Sequence, residues 1–109
     1  MQVTEDRFGG GGVGRTGQMS TVGVIIRGRV QGVSYRAWTK KTADGLGLSG
    51  HVANRADGAV EATFSGPADV VARMLDLCRK GPLLARVDDL SVSEDAEAPA
   101  SQGFVITRG

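Results

Sequence analysis

From Thr21 onward, apolar and polar residues follow one another in blocks whose period switches between two and about 3.6 residues. Val22, Val24 and Ile26 recur at period two, and Ile25 is apolar as well, which predicts a strand with at least one buried face. Tyr35 to about Leu46 predicts a helix. Tyr35, Trp38, Thr42 and Leu46 fall on one side of it, Ser34 stands where an N-cap belongs, and Gly47 supplies a C-terminal stop. Leu48 to Asn54 predicts a second strand with Leu48, Gly50 and Val52 on one face. Asn54-Arg55-Ala56-Asp57-Gly58 is a turn, because Asp-Gly accepts positive φ, and Ala59 to Ser65 is the partner strand, with Val60, Ala62 and Phe64 inward. Gly66-Pro67 opens a second helix with an apolar stripe of Val70, Val71, Met74, Leu75 and Cys78. Arg79 and Lys80 complement its negative end and Gly81-Pro82 closes it. Ala85 to Val92 predicts a fourth strand with an irregularity where Val87 gives way to Leu90. A polar connection over Glu94 to Gln102 then leads to a short final strand, Phe104 to Ile106. The order strand, helix, strand, strand, helix, strand, with one strand added, predicts an α+β fold: a split β-α-β arrangement with an antiparallel sheet and both helices on one face.

Residues 1–20 carry no such period. Their glycine run and lack of bulk predict a flexible N-terminal tail, with the domain proper over 21–109, and Met19 offers an alternative start. Gly12-Val13-Gly14-Arg15-Thr16-Gly17 matches the dinucleotide fingerprint letter for letter. No strand precedes it and no helix follows it before Val22, so it reads as chance in a glycine-rich stretch.

The chain's 109 residues make one domain, and a net charge of +1 gives no reason to expect a nucleic acid partner or an anionic membrane surface. No apolar run approaches membrane-spanning length, and the N-terminus lacks a signal-peptide core. The single cysteine, Cys78, allows no intrachain disulfide, which suits a cytoplasmic protein, and its place on a helix stripe predicts a buried, inert thiol. One histidine and one cysteine far apart in sequence are poor material for a zinc site, so no metal is expected.

The run that carries chemistry is Gly28-Arg29-Val30-Gln31-Gly32-Val33-Ser34-Tyr35-Arg36. A strand passes into a glycine-bearing loop that ends on an arginine opening a helix. Glycines let the backbone curl so that several N–H groups converge, the helix start adds partial positive charge, and a guanidinium supplies a two-pronged donor. A phosphate or acyl-phosphate group fits such a cradle. Arg27, Arg29, Arg36 and Arg55 all lie near this loop or the turn after Asn54.

With Gly50-His51-Val52-Ala53-Asn54 and Gly58, and with Gly66-Pro67, Met74 and Gly81-Pro82 continuing the likeness, this run resembles the acylphosphatase family over about Thr21 to Arg108. The resemblance implies a ferredoxin-like sandwich. It implies hydrolysis of the carboxyl–phosphate bond of acyl phosphates to a carboxylate and inorganic phosphate by a monomer without metal or cofactor. It also implies that the backbone of Gly28, Arg29, Val30, Gln31, Gly32, Val33 and Ser34 holds the phosphate, that Arg36 binds it, and that Asn54 positions the attacking water. An acyl phosphate is already activated, so it needs placement and charge stabilisation more than a strong nucleophile. The Asn54 amide both donates and accepts, and so can fix a water's orientation, but it has no pKa that would make it a base. His51, where the family commonly has tryptophan, lies three residues before Asn54; odd spacing on a strand puts it on the opposite face, solvated or at an edge. Ser34 has no base beside it in the sequence and is expected to cap the helix rather than act as a nucleophile.

Two other readings remain open from the residues. One is a non-catalytic module of the same shape that binds an anion or a partner, although a chain whose last residue is Gly109 is expected to act as a free enzyme. The other is an RNA-binding sheet, which is disfavoured because Phe64 and Phe104 are the only phenylalanines available for base stacking in the globular part.

Overall fold

The computed structural model describes residues 18–107; of the expected tail over 1–20, residues 1–17, with the fingerprint-like run at Gly12–Gly17, lie outside the described residues, while Met19 and Ser20 belong to the first strand, paired with Pro67 and Gly66, so the domain begins earlier than expected. Strand β1 (Met19–Arg29) alternates as expected, with Val22, Val24 and Ile26 buried and the residues between them half-buried. It is followed by α1 (Tyr35–Gly45), β2 (Ser49–Asn54), β3 (Val60–Pro67), α2 (Ala68–Lys80), β4 (Arg86–Ser93) and β5 (Phe104–Ile106). The sheet order is β4-β1-β3-β2-β5. The first four strands pair antiparallel in the ferredoxin-like manner. The short β5 adds to the far edge parallel to β2, Gly50 opposite Phe104 and Val52 opposite Ile106, so the five-stranded sheet as a whole is mixed.

Both helices lie over the face that carries Val22, Val24, Ile26, Val52, Val60, Ala62 and Phe64. The Phe64 and Phe104 rings stack beneath them, centroids 5.5 Å apart at 16°. In α2 the buried residues are Val71, Met74 and Cys78, with Val70 and Leu75 packed at the margin. In α1 the buried line is Tyr35, Thr39 and Ala43 rather than the expected Tyr35, Trp38, Thr42 and Leu46. Thr39 can be buried because its hydroxyl donates to the Tyr35 carbonyl at 2.8 Å, leaving only its methyl to pack. Trp38 sits at the margin, tilted against Tyr35. Pro67 ends β3 and holds the position before α2 instead of its first turn.

The irregularity expected in the fourth strand is a register shift opposite Arg27 and Gly28. Arg27 pairs with Asp89 and Gly28 with Val87, so Asp88 is the extra residue, on β4; opposite it Gly28 stands at φ 134°, where a Cβ would collide with the Arg86 carbonyl.

Candidate active site

Val30, at 1% exposure, anchors the β1–α1 loop in the core. Beyond it Gly32 (φ 76°) and Ser34 (φ 64°) both take the left-handed conformation. Left-handed residues of this kind are the ones from which anion-binding backbone concavities are made. Gly32 takes this conformation without cost; Ser34 is the one non-glycine residue among those described with positive φ. Ser34 occupies the cap position but its side chain makes no cap hydrogen bond, contrary to expectation; a left-handed residue does not aim its hydroxyl back at the first turn. Its carbonyl accepts the Trp38 N–H at 3.0 Å and starts the helix. Gln31 to Ser34 form a turn that leads directly into α1, whose leading N–H groups have no partner within the helix.

Asn54 reaches the same place from β2. It pairs with Val60 of β3, which pairs with Ile26 of β1, so one row across the sheet carries all three. Two strand spacings place Asn54 about 10 Å from β1, within reach of a loop that crosses over β3. Val30, Gly32, Ser34, Tyr35, Arg36, Ala37, Asn54 and Ile106 line one pocket of about 230 Å³. Asn54 Oδ1 is buried and has no hydrogen-bond partner among the described residues. A buried carboxamide oxygen left unpaired is uncommon in folded proteins.

Of the residues singled out in the sequence, the structure therefore brings Arg36, Asn54, Val30, Gly32 and Ser34 to one pocket. Gly28 and Arg29 lie within β1, paired to Val87 and Arg86, and are not in its lining. Val33 packs against the core. The Gln31 side chain turns to the β2–β3 turn, its Nε2 donating to the carbonyls of Arg55 at 2.8 Å and Ala59 at 2.9 Å. His51 lies on the helix-free face, with its Nε2 3.5 Å from Thr63 Oγ1. Ile106 was not foreseen as a pocket wall: it enters through a parallel pairing that nothing in a three-residue strand announces.

The turn itself is tied by charge. Asp57 accepts from Arg55 at 3.2 Å, from the Ala59 N–H at 3.1 Å and from Arg27 at 3.2 Å. The Arg55 guanidinium foremost, with the Ala59 N–H, lowers the Asp57 carboxyl to about 2. Arg55 also reaches Glu61 at 3.3 Å. Below the loop, the Tyr35 hydroxyl donates to the Cys78 carbonyl at 2.6 Å, and burial raises the Tyr35 phenol well above its ordinary value. Among the described residues no three His, Cys, Asp or Glu side chains gather to hold a metal ion.

A ferredoxin-like sandwich thus brings the β1–α1 loop, Arg36 and the buried Asn54 carboxamide together at one pocket. The family model described as Acylphosphatase matches residues 22–106. A protein named acylphosphatase from Rhodospirillum rubrum is 59% identical over 86 residues, 79% of this chain and 93% of the relative. One of the same name from Nitrobacter hamburgensis is 56% identical over 77 residues, 68% of this chain and 78% of the relative. The crystal structure of acylphosphatase from Bacillus subtilis superimposes with a TM-score of 0.77 at 32% identity, covering 83% of this chain and 99% of that one. The chain belongs to the acylphosphatase family.

Proposed function

We propose that the protein hydrolyses the carboxyl–phosphate bond of acyl phosphates at this pocket. The backbone N–H groups of the Gln31 to Ser34 loop, with the first turn of α1, hold the phosphate oxygens, and the Arg36 guanidinium neutralises the charge that develops on them. Asn54 orients a water for attack on phosphorus. The bond from phosphorus to the acyl oxygen breaks, the carboxylate departs with the electron pair, and the water's proton passes to a phosphate oxygen. The observation that carries this reading is the meeting of Arg36, Asn54 and the loop at one pocket, with the Asn54 oxygen left unpaired beside them. Amides and a guanidinium supply the positive charge, so turnover is expected to survive EDTA. The reading extends to a monomer in the cytoplasm, a compartment that one buried free thiol suits.

Hydrolysis of benzoyl phosphate, with inorganic phosphate as competitor, tests the assignment. Arg36→Ala is expected to lose phosphate affinity and turnover together. Asn54→Ala should keep the inhibition constant for phosphate while kcat falls on the order of 10²-fold or more, since it touches only the water. A parent-like rate in Asn54→Ala defeats the water-orienting role, and phosphate binding without turnover in the parent protein would point instead to a binding module.

A further inference from the structure

The Gln31 side chain is the link between the two halves of the pocket. It belongs to the loop by sequence but does not point into the pocket. Its single Nε2 spends both hydrogens on the carbonyls of Arg55 and Ala59, the residues on either side of the Ala56-Asp57-Gly58 tip. Arg55 follows Asn54 directly, and the Ala59 carbonyl also accepts the Arg55 N–H at 2.8 Å. The amide thus closes over the mouth of the hairpin and fastens it to the loop one residue before Gly32. A second side-chain contact to this turn, from Arg27 of β1 to Asp57, joins two side chains at 47% and 42% exposure, where solvent screens it. Gln31's two bonds are partly buried and neutral, so salt and pH leave them alone.

We infer that Gln31 is a positioning residue for the hydrolysis: its amide sets how far Asn54 stands from the phosphate cradle. The inference rests on the assignment of Asn54 to the attacking water. Loss of the amide leaves the loop's own N–H groups and Arg36 in place, so the anion still binds. What loosens is the placement of the carboxamide against the bound phosphate. A small misplacement of a group that orients a nucleophile costs rate rather than affinity. The β2–β3 ladder still holds the hairpin, which limits the loss to roughly tenfold, the scale of two neutral hydrogen bonds.

The test is a double-mutant cycle on benzoyl phosphate with Gln31→Met, which keeps the reach and removes the donor, and Asn54→Ala. Gln31→Met is expected to lower kcat about tenfold with the phosphate inhibition constant within about twofold of the parent, and to add no further loss in the Asn54→Ala background. Gln31→Lys, whose ammonium can reach both carbonyls, is expected to recover most of the rate. An unchanged kcat in Gln31→Met overturns the inference. So does a phosphate constant that weakens in step with kcat, or a full tenfold loss on top of Asn54→Ala. If Gln31→Met does not fold, Gln31→Lys against Gln31→Glu decides. The carboxylate faces two carbonyls and should be slower at equal phosphate affinity, and equal rates overturn the inference. A parent-like rate in Asn54→Ala alone defeats the site assignment, a result separate from any of these.

Discussion

Cys78 and Tyr35 meet under the β1–α1 loop, and their chemistry is set by where they are buried. Burial pushes the Cys78 thiol up to about 12, against smaller opposing pulls from the Tyr35 hydroxyl and the Arg79 guanidinium. A raised thiol stays protonated in the folded protein at pH 8, and the thiolate is the reactive species. Native protein is therefore expected to leave Cys78 unmodified by Ellman's reagent at pH 8, while the same protein in 6 M guanidinium (roughly beyond most unfolding midpoints) titrates one thiol. Rapid labelling of the native chain would contradict the buried placement. At this scale the sequence was informative where a side chain has one environment. The helix stripe foretold that Cys78 is buried, and odd spacing foretold that His51 and Asn54 face opposite sides of the sheet. It was silent on Gln31, because the same residue can offer its backbone to a ligand or its side chain to a neighbour, and only the fold decides how it turns.

Among elements, the β2–β3 hairpin has the most at stake, since Asn54 is its last paired residue before the turn. Asp57 satisfies the Ala59 N–H and draws in Arg55 and Arg27. Its carboxyl is held near 2 against an ordinary 3.8, so the folded state favours the ionised form. The stabilisation is complete above about pH 4 and is lost as the pH falls through about 2, where the folded carboxyl takes up its proton. Urea midpoints measured between pH 5 and 2 (roughly the window set by those values) should fall more steeply in the parent than in Asp57→Asn, which has no proton to gain. Parallel curves would mean that Asp57 is not the titrating tie. The Asp-Gly pair announced this turn; the ion pairs around it were not legible, because Arg27 and Glu61 reach it only once β1, β2 and β3 lie side by side. Likewise the shift of the buried line in α1 from Thr42 to Thr39 follows from a hydroxyl that bonds within its own turn, which a hydrophobicity pattern scores as polar.

The whole molecule closes at its weakest edge. Three residues of β5 complete the sheet, held by parallel pairing to β2 and by Phe104, which stacks on Phe64 and is 2% exposed. Phe104→Ala is expected to cost about 3–5 kcal/mol, the usual price of emptying an aromatic site in a core. A domain this size has about 5–15 kcal/mol in all. The urea midpoint should drop by a fifth or more (roughly the low end of the ratio of those figures), and a drop under a tenth would show β5 to be peripheral. The element order and the one-faced helices were legible because each element carries its own period. The parallel attachment of β5 was not, because a three-residue strand specifies no partner, and with it went the place of Ile106 in the pocket.

The strand order has a kinetic corollary. β1 delivers the amide loop and β2 delivers Asn54, but the two are not neighbours; β3, which follows both in the chain, is threaded between them. An early intermediate holding only β1, α1 and β2 has nothing to fix the two halves at their working separation. On refolding, regained hydrolysis should then lag the return of helical circular dichroism, and it would time the moment at which the middle strand is inserted.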